Sequence, residues 1–98
     1  MKSKRSKACE ISLSVKRRVA ERDGFRCIFC GQRGDPVAHY IPRSRGGLGI
    51  EENVITACWK CHLLMDSSTE RKEYMTKAKE HLDMFYPGFP DEKRIYKK

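Results

Sequence analysis

Two Cys-x2-Cys pairs constrain this chain more than any other feature of it. Cys27-Ile-Phe-Cys30 and Cys58-Trp-Lys-Cys61 each have the spacing with which a tight turn offers two thiolates to one tetrahedral ion. Together Cys27, Cys30, Cys58 and Cys61 supply four corners, and the expected occupant is a structural Zn²⁺. A chain of 98 residues has a lean core and gains from such a staple. The binding energy of the ion then becomes folding energy. A site with four cysteine ligands is coordinatively full, so this zinc is not expected to catalyse. The 27 residues between the pairs exceed the usual zinc-ribbon spacing, which implies that a further unit is inserted there.

Charge points toward the partner. The net charge is +8, with 35% charged and 39% hydrophobic residues, a balance suited to a soluble protein that meets a polyanion. No apolar run approaches the ~20 residues that a membrane span needs. The basic start, MKSKRSKACEISLS, lacks the apolar centre of a secretory signal. The expected location is therefore cytoplasmic, where paired cysteines ligate metals rather than form disulfides. Cys9 lies outside either pair and is expected as a free thiol.

Local patterns place elements around the pairs. A Lys- and Ser-rich flexible tail is expected over 1–13, one domain over 14–86, and a loose charged tail over 87–98. Ser14 can cap a helix through VKRRVAERD that Gly24 stops. FRCIFCG reads as a short strand and a metal knuckle. VAHYI (37–41) and NVITA (53–57) read as strands flanking the loop PRSRGGLG. WKCHLLMD suits a short helix. Ser67 and Glu70 resemble a capping box for a last helix whose Met75, Ala78, Leu82 and Phe85 share one face.

Read from Arg22, RDGFRCIFCG…AHYIPRSRGG…ENVITACWKCH resembles the zinc-stapled HNH endonucleases, of the small phage-associated type. His39, Asn53 and His62 match the three letters in order, inside the two cysteine pairs. The resemblance spans about residues 15–66. It implies an α+β fold: a small ββα-metal core with a four-cysteine structural zinc and flanking N- and C-terminal helices. It implies a metal-dependent endonuclease that nicks or cuts DNA with low sequence specificity. It also implies His39 as general base, Asn53 as the residue that orients the site, and His62 as ligand to a catalytic divalent ion (Mg²⁺, Mn²⁺ or another transition ion). Phage packaging proteins are partners suggested by the same resemblance. The alternative is a catalytically inactive, zinc-stabilised nucleic-acid-binding module.

The residues support these roles chemically. An imidazole can take a proton from water near neutral pH. Neighbouring residues on a helix point about 100° apart, so if Cys61 faces the zinc, His62 faces elsewhere. Asp66 lies four residues on, on the same face, and a His-x3-Asp pair can present a nitrogen and an oxygen to one ion. A cap at the helix end is the competing role for Asp66. Many members carry Asp or His just before the catalytic histidine, where this chain has Ala38. Asp66 is the expected replacement for that ligand. Arg43 and Arg45 beside the turn suit phosphate oxygens, with Gly46 and Gly47 allowing close backbone approach. Lys16 and Arg17, with Arg18 and Arg22, would extend the basic track. Trp59 is expected to pack beside the zinc.

Overall fold

Serines set the first two helices. In the computed structural model, which describes residues 3–67 and 69–97, the Ser3 hydroxyl accepts from the Ser6 amide and opens helix α1 (Lys4–Cys9). The Ser12 hydroxyl accepts from Val15 N and opens α2 (Leu13–Arg22). Ser12 rather than Ser14 takes the cap, because its backbone carbonyl is also the first to accept an intrahelical bond, from Lys16 N. Strands β1 (Asp35–His39) and β2 (Val54–Ala57) form an antiparallel pair. Then come α3 (Trp59–Met65) and α4 (Arg71–Phe85). Short 3-10 turns cover Arg43–Arg45 and Asp91–Arg94. This is a small α+β fold with helices flanking a two-stranded sheet and a four-cysteine cluster. Among the described residues, no helix is long and apolar enough to cross a membrane.

Strand β2 is buried on both faces, which explains its unbroken run VITA. Ile55 and Ala57 join the larger core with Ala38, Ile41, Cys61, Met65, Ala78 and Leu82. Val54 turns the other way and packs with Val15 and Val19 of α2. Each fully buried aliphatic side chain stabilises the fold by about 1.5–3 kcal/mol. The register pairs His39 with Val54 and Ala38 with Ile55, and a bulge lies between Asp35 and Ala38.

The strand expected over 37–41 ends at His39, because the Asn53 side chain takes over the ladder at Ile41. FRCIFCG contributes a knuckle and the single bridge Arg26–Arg33 instead of a strand. Of the expected α4 face, Ala78 and Leu82 are buried, whereas Phe85 lies 43% exposed beneath the Arg22 guanidinium. Ser67 Oγ accepts from Glu70 N, the serine half of a capping box, and the helix begins at Arg71.

Both expected tails are docked. Ala8 O accepts from Gly49 N, and the Arg5 guanidinium donates to Arg43 O and Ser44 O. At the other end Arg94 is fully buried. Its Nε donates to Glu52 O, its Nη1 donates to Phe89 O and Asp91, and its guanidinium lies over the Tyr40 and Phe89 rings. Leu48 N donates to Arg94 O and Tyr96 N to Gly46 O, which pins the C-terminal segment to the loop after β1. Flexible tails were expected from composition. Hydrogen bonds to the loop after β1 hold their described residues instead.

Candidate functional site

The knuckle and the start of α3 form the metal centre. Gly31 N donates to Cys27 O and Cys27 N to Gln32 O, closing the turn that carries Cys27 and Cys30. Cys58 caps α3, its sulfur accepting from Cys61 N at 3.4 Å. That donor, with the neighbouring thiols, brings the Cys58 thiol down to about 7. Burial pushes the Cys61 thiol up, and a divalent cation relieves that cost. The four sulfurs all lie within 4.8 Å of one another, and Cys30 and Cys58 are 3.6 Å apart. A tetrahedron with Zn–S of about 2.3 Å sets its sulfurs about 3.8 Å apart, so the cluster fits one ion. Cys9 is a free, buried thiol far from this set in sequence.

The second site is a groove of about 610 Å³. Val37 and His39 of β1, with Pro42 and Arg43 after it, form one wall. His62, Met65 and Asp66 of α3 form another. Period two along β1 sends Val37 and His39 to the groove and Ala38, with no exposed surface, into the core. Residue 38 is thus a packing position here, and an acid in its place would enter the core that Ile55 and Leu82 share.

His39 is half-buried, and its Nε2 lies 2.9 Å from Cys9 O. A carbonyl can only accept, so Nε2 carries the proton in the neutral ring and Nδ1 keeps the lone pair. Burial lowers the His39 pKa. The nearby Arg43 and His62 lower it further, against the opposing pull of the Cys9 carbonyl.

On α3, Cys61 is buried in the core and Met65 lies between core and groove, while His62 and Asp66 line the groove. Asp66 is the C-cap residue of α3, its backbone N–H donating to Leu63 O and Leu64 O. Trp59 lies on this outer side too, 78% exposed, rather than packed beside the cysteines. Among the described residues, the cysteines are the group of three or more acid, histidine or thiol ligands whose atoms converge. His62 and Asp66 both line the groove.

Asn53 is fully buried and does not line the groove. Its Oδ1 accepts from Ile41 N, and its Nδ2 donates to Ile41 O and Leu48 O. It closes the loop that follows His39. Gly47 serves the same closure, since a Cβ there would stand 1.6 Å from Ile41 O.

Of the basic residues, Arg43 and Lys16 line the groove, while Arg45 and Arg17 are exposed outside it. Arg18 pairs with Glu51 at 2.6 Å, and Arg22 is almost wholly buried against Asp23, so neither extends a free basic track. Lys7 and Glu10 also line the groove. Sequence reading missed them because it placed them in a tail. The spacing of Ser3 and Ser12 as caps was the available signal.

Residues 27–66 match the family model described as HNH endonuclease. That segment, with four cysteines set around one metal position, is similar to an HNH endonuclease domain. No curated protein and no solved structure matches the chain significantly.

Proposed function

We propose that this chain is a metal-dependent endonuclease that hydrolyses DNA phosphodiester bonds, with His39 as the general base. One observation supports the reading: His39, His62, Asp66, Lys16 and Arg43 all line a single groove. His39 Nδ1 takes the proton from a water that attacks the phosphorus. Lys16 and Arg43 hold the flanking phosphates, contacts that do not depend on base sequence. His62 and Asp66 would hold a divalent ion, which supplies charge stabilisation to the phosphorane and the leaving oxygen when bound. Asn53 supports His39 through the closed loop and touches no substrate. The cysteine cluster holds Zn²⁺ and serves stability.

The test is supercoiled plasmid with Mg²⁺ or Mn²⁺, beside EDTA and His39→Ala controls. Nicking that needs the divalent ion and disappears in His39→Ala is the expected result. A second reading, a binding module without catalysis, is favoured by the lack of a third converging ligand beside His62 and Asp66 among the described residues. Plasmid retarded on a gel but never cut, with any divalent ion, would establish that reading instead.

A further inference from the structure

The N-terminal segment lies outside the matched HNH span, yet it reaches the base itself. Its docking rests on several independent contacts. Ala8 O accepts from Gly49 N at 3.0 Å. Arg5 donates to Ser44 O at 3.1 Å and to Arg43 O at 3.4 Å, both in the loop that follows His39. Cys9 is 2% exposed. At Gly49 the two backbones lie so close that an added Cβ would stand 2.0 Å from Glu10 O and 3.0 Å from Cys9 O. The outcome of this packing is one directed contact, Cys9 O at 2.9 Å from His39 Nε2.

We propose that residues 3–10 are a positioning element of the catalytic site, in which the Cys9 carbonyl, held in place across Gly49, fixes His39 with Nδ1 facing the groove. Without that acceptor a neutral imidazole exchanges its proton between two nitrogens, and only one tautomer leaves Nδ1 able to take a proton from water. Since the contact is made by a backbone carbonyl, the Cys9 side chain need not take part. The HNH span 27–66 alone therefore lacks a working part of its own site. The role rests on the nuclease reading of His39.

The experiment compares the full-length, zinc-loaded chain with Gly49→Ala and, separately, Arg5→Ala. Nitrogen-15 spectra of the imidazoles report the His39 tautomer, and plasmid nicking gives kcat and KM. In the intact chain, His39 is expected as the Nε2–H tautomer. Gly49→Ala is expected to mix the tautomers and to lower kcat on the order of 10- to 100-fold, the usual effect of losing a group that orients a reacting side chain, with KM little changed. Arg5→Ala should act in the same direction and more weakly. Zinc content and the far-ultraviolet spectrum verify that each variant is folded.

An Nδ1–H tautomer in the intact chain would overturn the proposal. So would a Gly49→Ala chain whose N-terminal resonances have moved while kcat stays at the intact value; that result leaves the nuclease reading standing. An intact chain that cuts nothing in any divalent ion removes the nuclease reading, and this role with it.

Discussion

Asn53 and Ile41 exchange two hydrogen bonds across the loop between the strands: Ile41 N donates to Asn53 Oδ1 at 2.9 Å, and Asn53 Nδ2 donates to Ile41 O at 3.1 Å. The amide thereby imitates the next rung of the ladder, two residues past His39. Asn53→Ala leaves a buried N–H and two carbonyls without this partner, each such loss costing about 1–3 kcal/mol. We expect Asn53→Ala to lower unfolding stability by more than about 2 kcal/mol in urea titrations. Asn53→Asp should also fail to restore it, because a carboxylate keeps the acceptor but removes the donor to Ile41 O and Leu48 O.

The cysteine cluster predicts obligatory coupling of metal to fold. Cys27 and Cys61 sit within the larger core with Ile55 and Leu82, so losing the ion exposes apolar surface as well as thiols. Purified protein should carry one Zn²⁺ per chain, measured by metal analysis. Strong chelation at neutral pH should release it together with the loss of the folded spectrum. Cys58→Ser should weaken retention, since a hydroxyl replaces the thiol that ionises most readily among those shifted. Retention of the full folded signal after complete zinc removal would contradict a structural role.

Much of this was legible in the residues. The Cys-x2-Cys spacing located the cysteine cluster, and the 100° step per residue separated His62, which lines the groove, from the buried Cys61. The termini were not legible, because their residues look solvated one at a time. Arg94 is buried by carbonyls of Glu52 and Phe89, and Cys9 meets His39 thirty residues away, contacts that no local pattern encodes. Ala38 was read as a missing ligand, whereas the pleat makes it a core residue. Arg22 was read as a surface cation for the same reason as the tails: its partner Asp23 is adjacent in sequence, but Glu51 O, Val54 O and Tyr86, which also hold it, are distant.

Asp23 predicts acid sensitivity. Burial alone would raise its pKa. Hydrogen bonds from His81 at 2.7 Å, from Arg22 and from Thr56 N outweigh that and hold the carboxyl far below the usual carboxylate range. A depressed folded pKa contributes stability that is complete above the unfolded value, about 4, and is lost as pH falls through the folded one. Unfolding free energy should therefore decline steadily below about pH 4. Asp23→Asn should flatten that decline while costing about 3–5 kcal/mol at neutral pH, the usual price of leaving a buried cation without its partner.

The His39 pKa lies below the ordinary imidazole value, chiefly through burial, with Arg43 and His62 adding to the shift. A general base works when unprotonated, so cleavage should rise with pH through a value below about 6.5 and be level across neutrality. Arg43→Ala removes one of the charges that lower it and should move the acidic limb toward higher pH. A limb that stays fixed in this variant would mean that another group controls the profile.

Lys16 and Arg17 are adjacent in sequence but differ in position, because successive helical residues diverge by about 100°. Lys16 lines the groove and Arg17 does not. If the groove holds the DNA backbone, Lys16→Ala should weaken binding to any sequence and reduce the salt slope of log K by about 1, the loss of one phosphate contact. Arg17→Ala should leave the slope nearly unchanged, since a cation outside the track releases no counterion from the DNA. Fluorescence anisotropy with a labelled duplex between 50 and 200 mM salt, about the range over which counterion release dominates, separates the two. Equal slopes for both variants would place the DNA on the outer face of α2, away from His39.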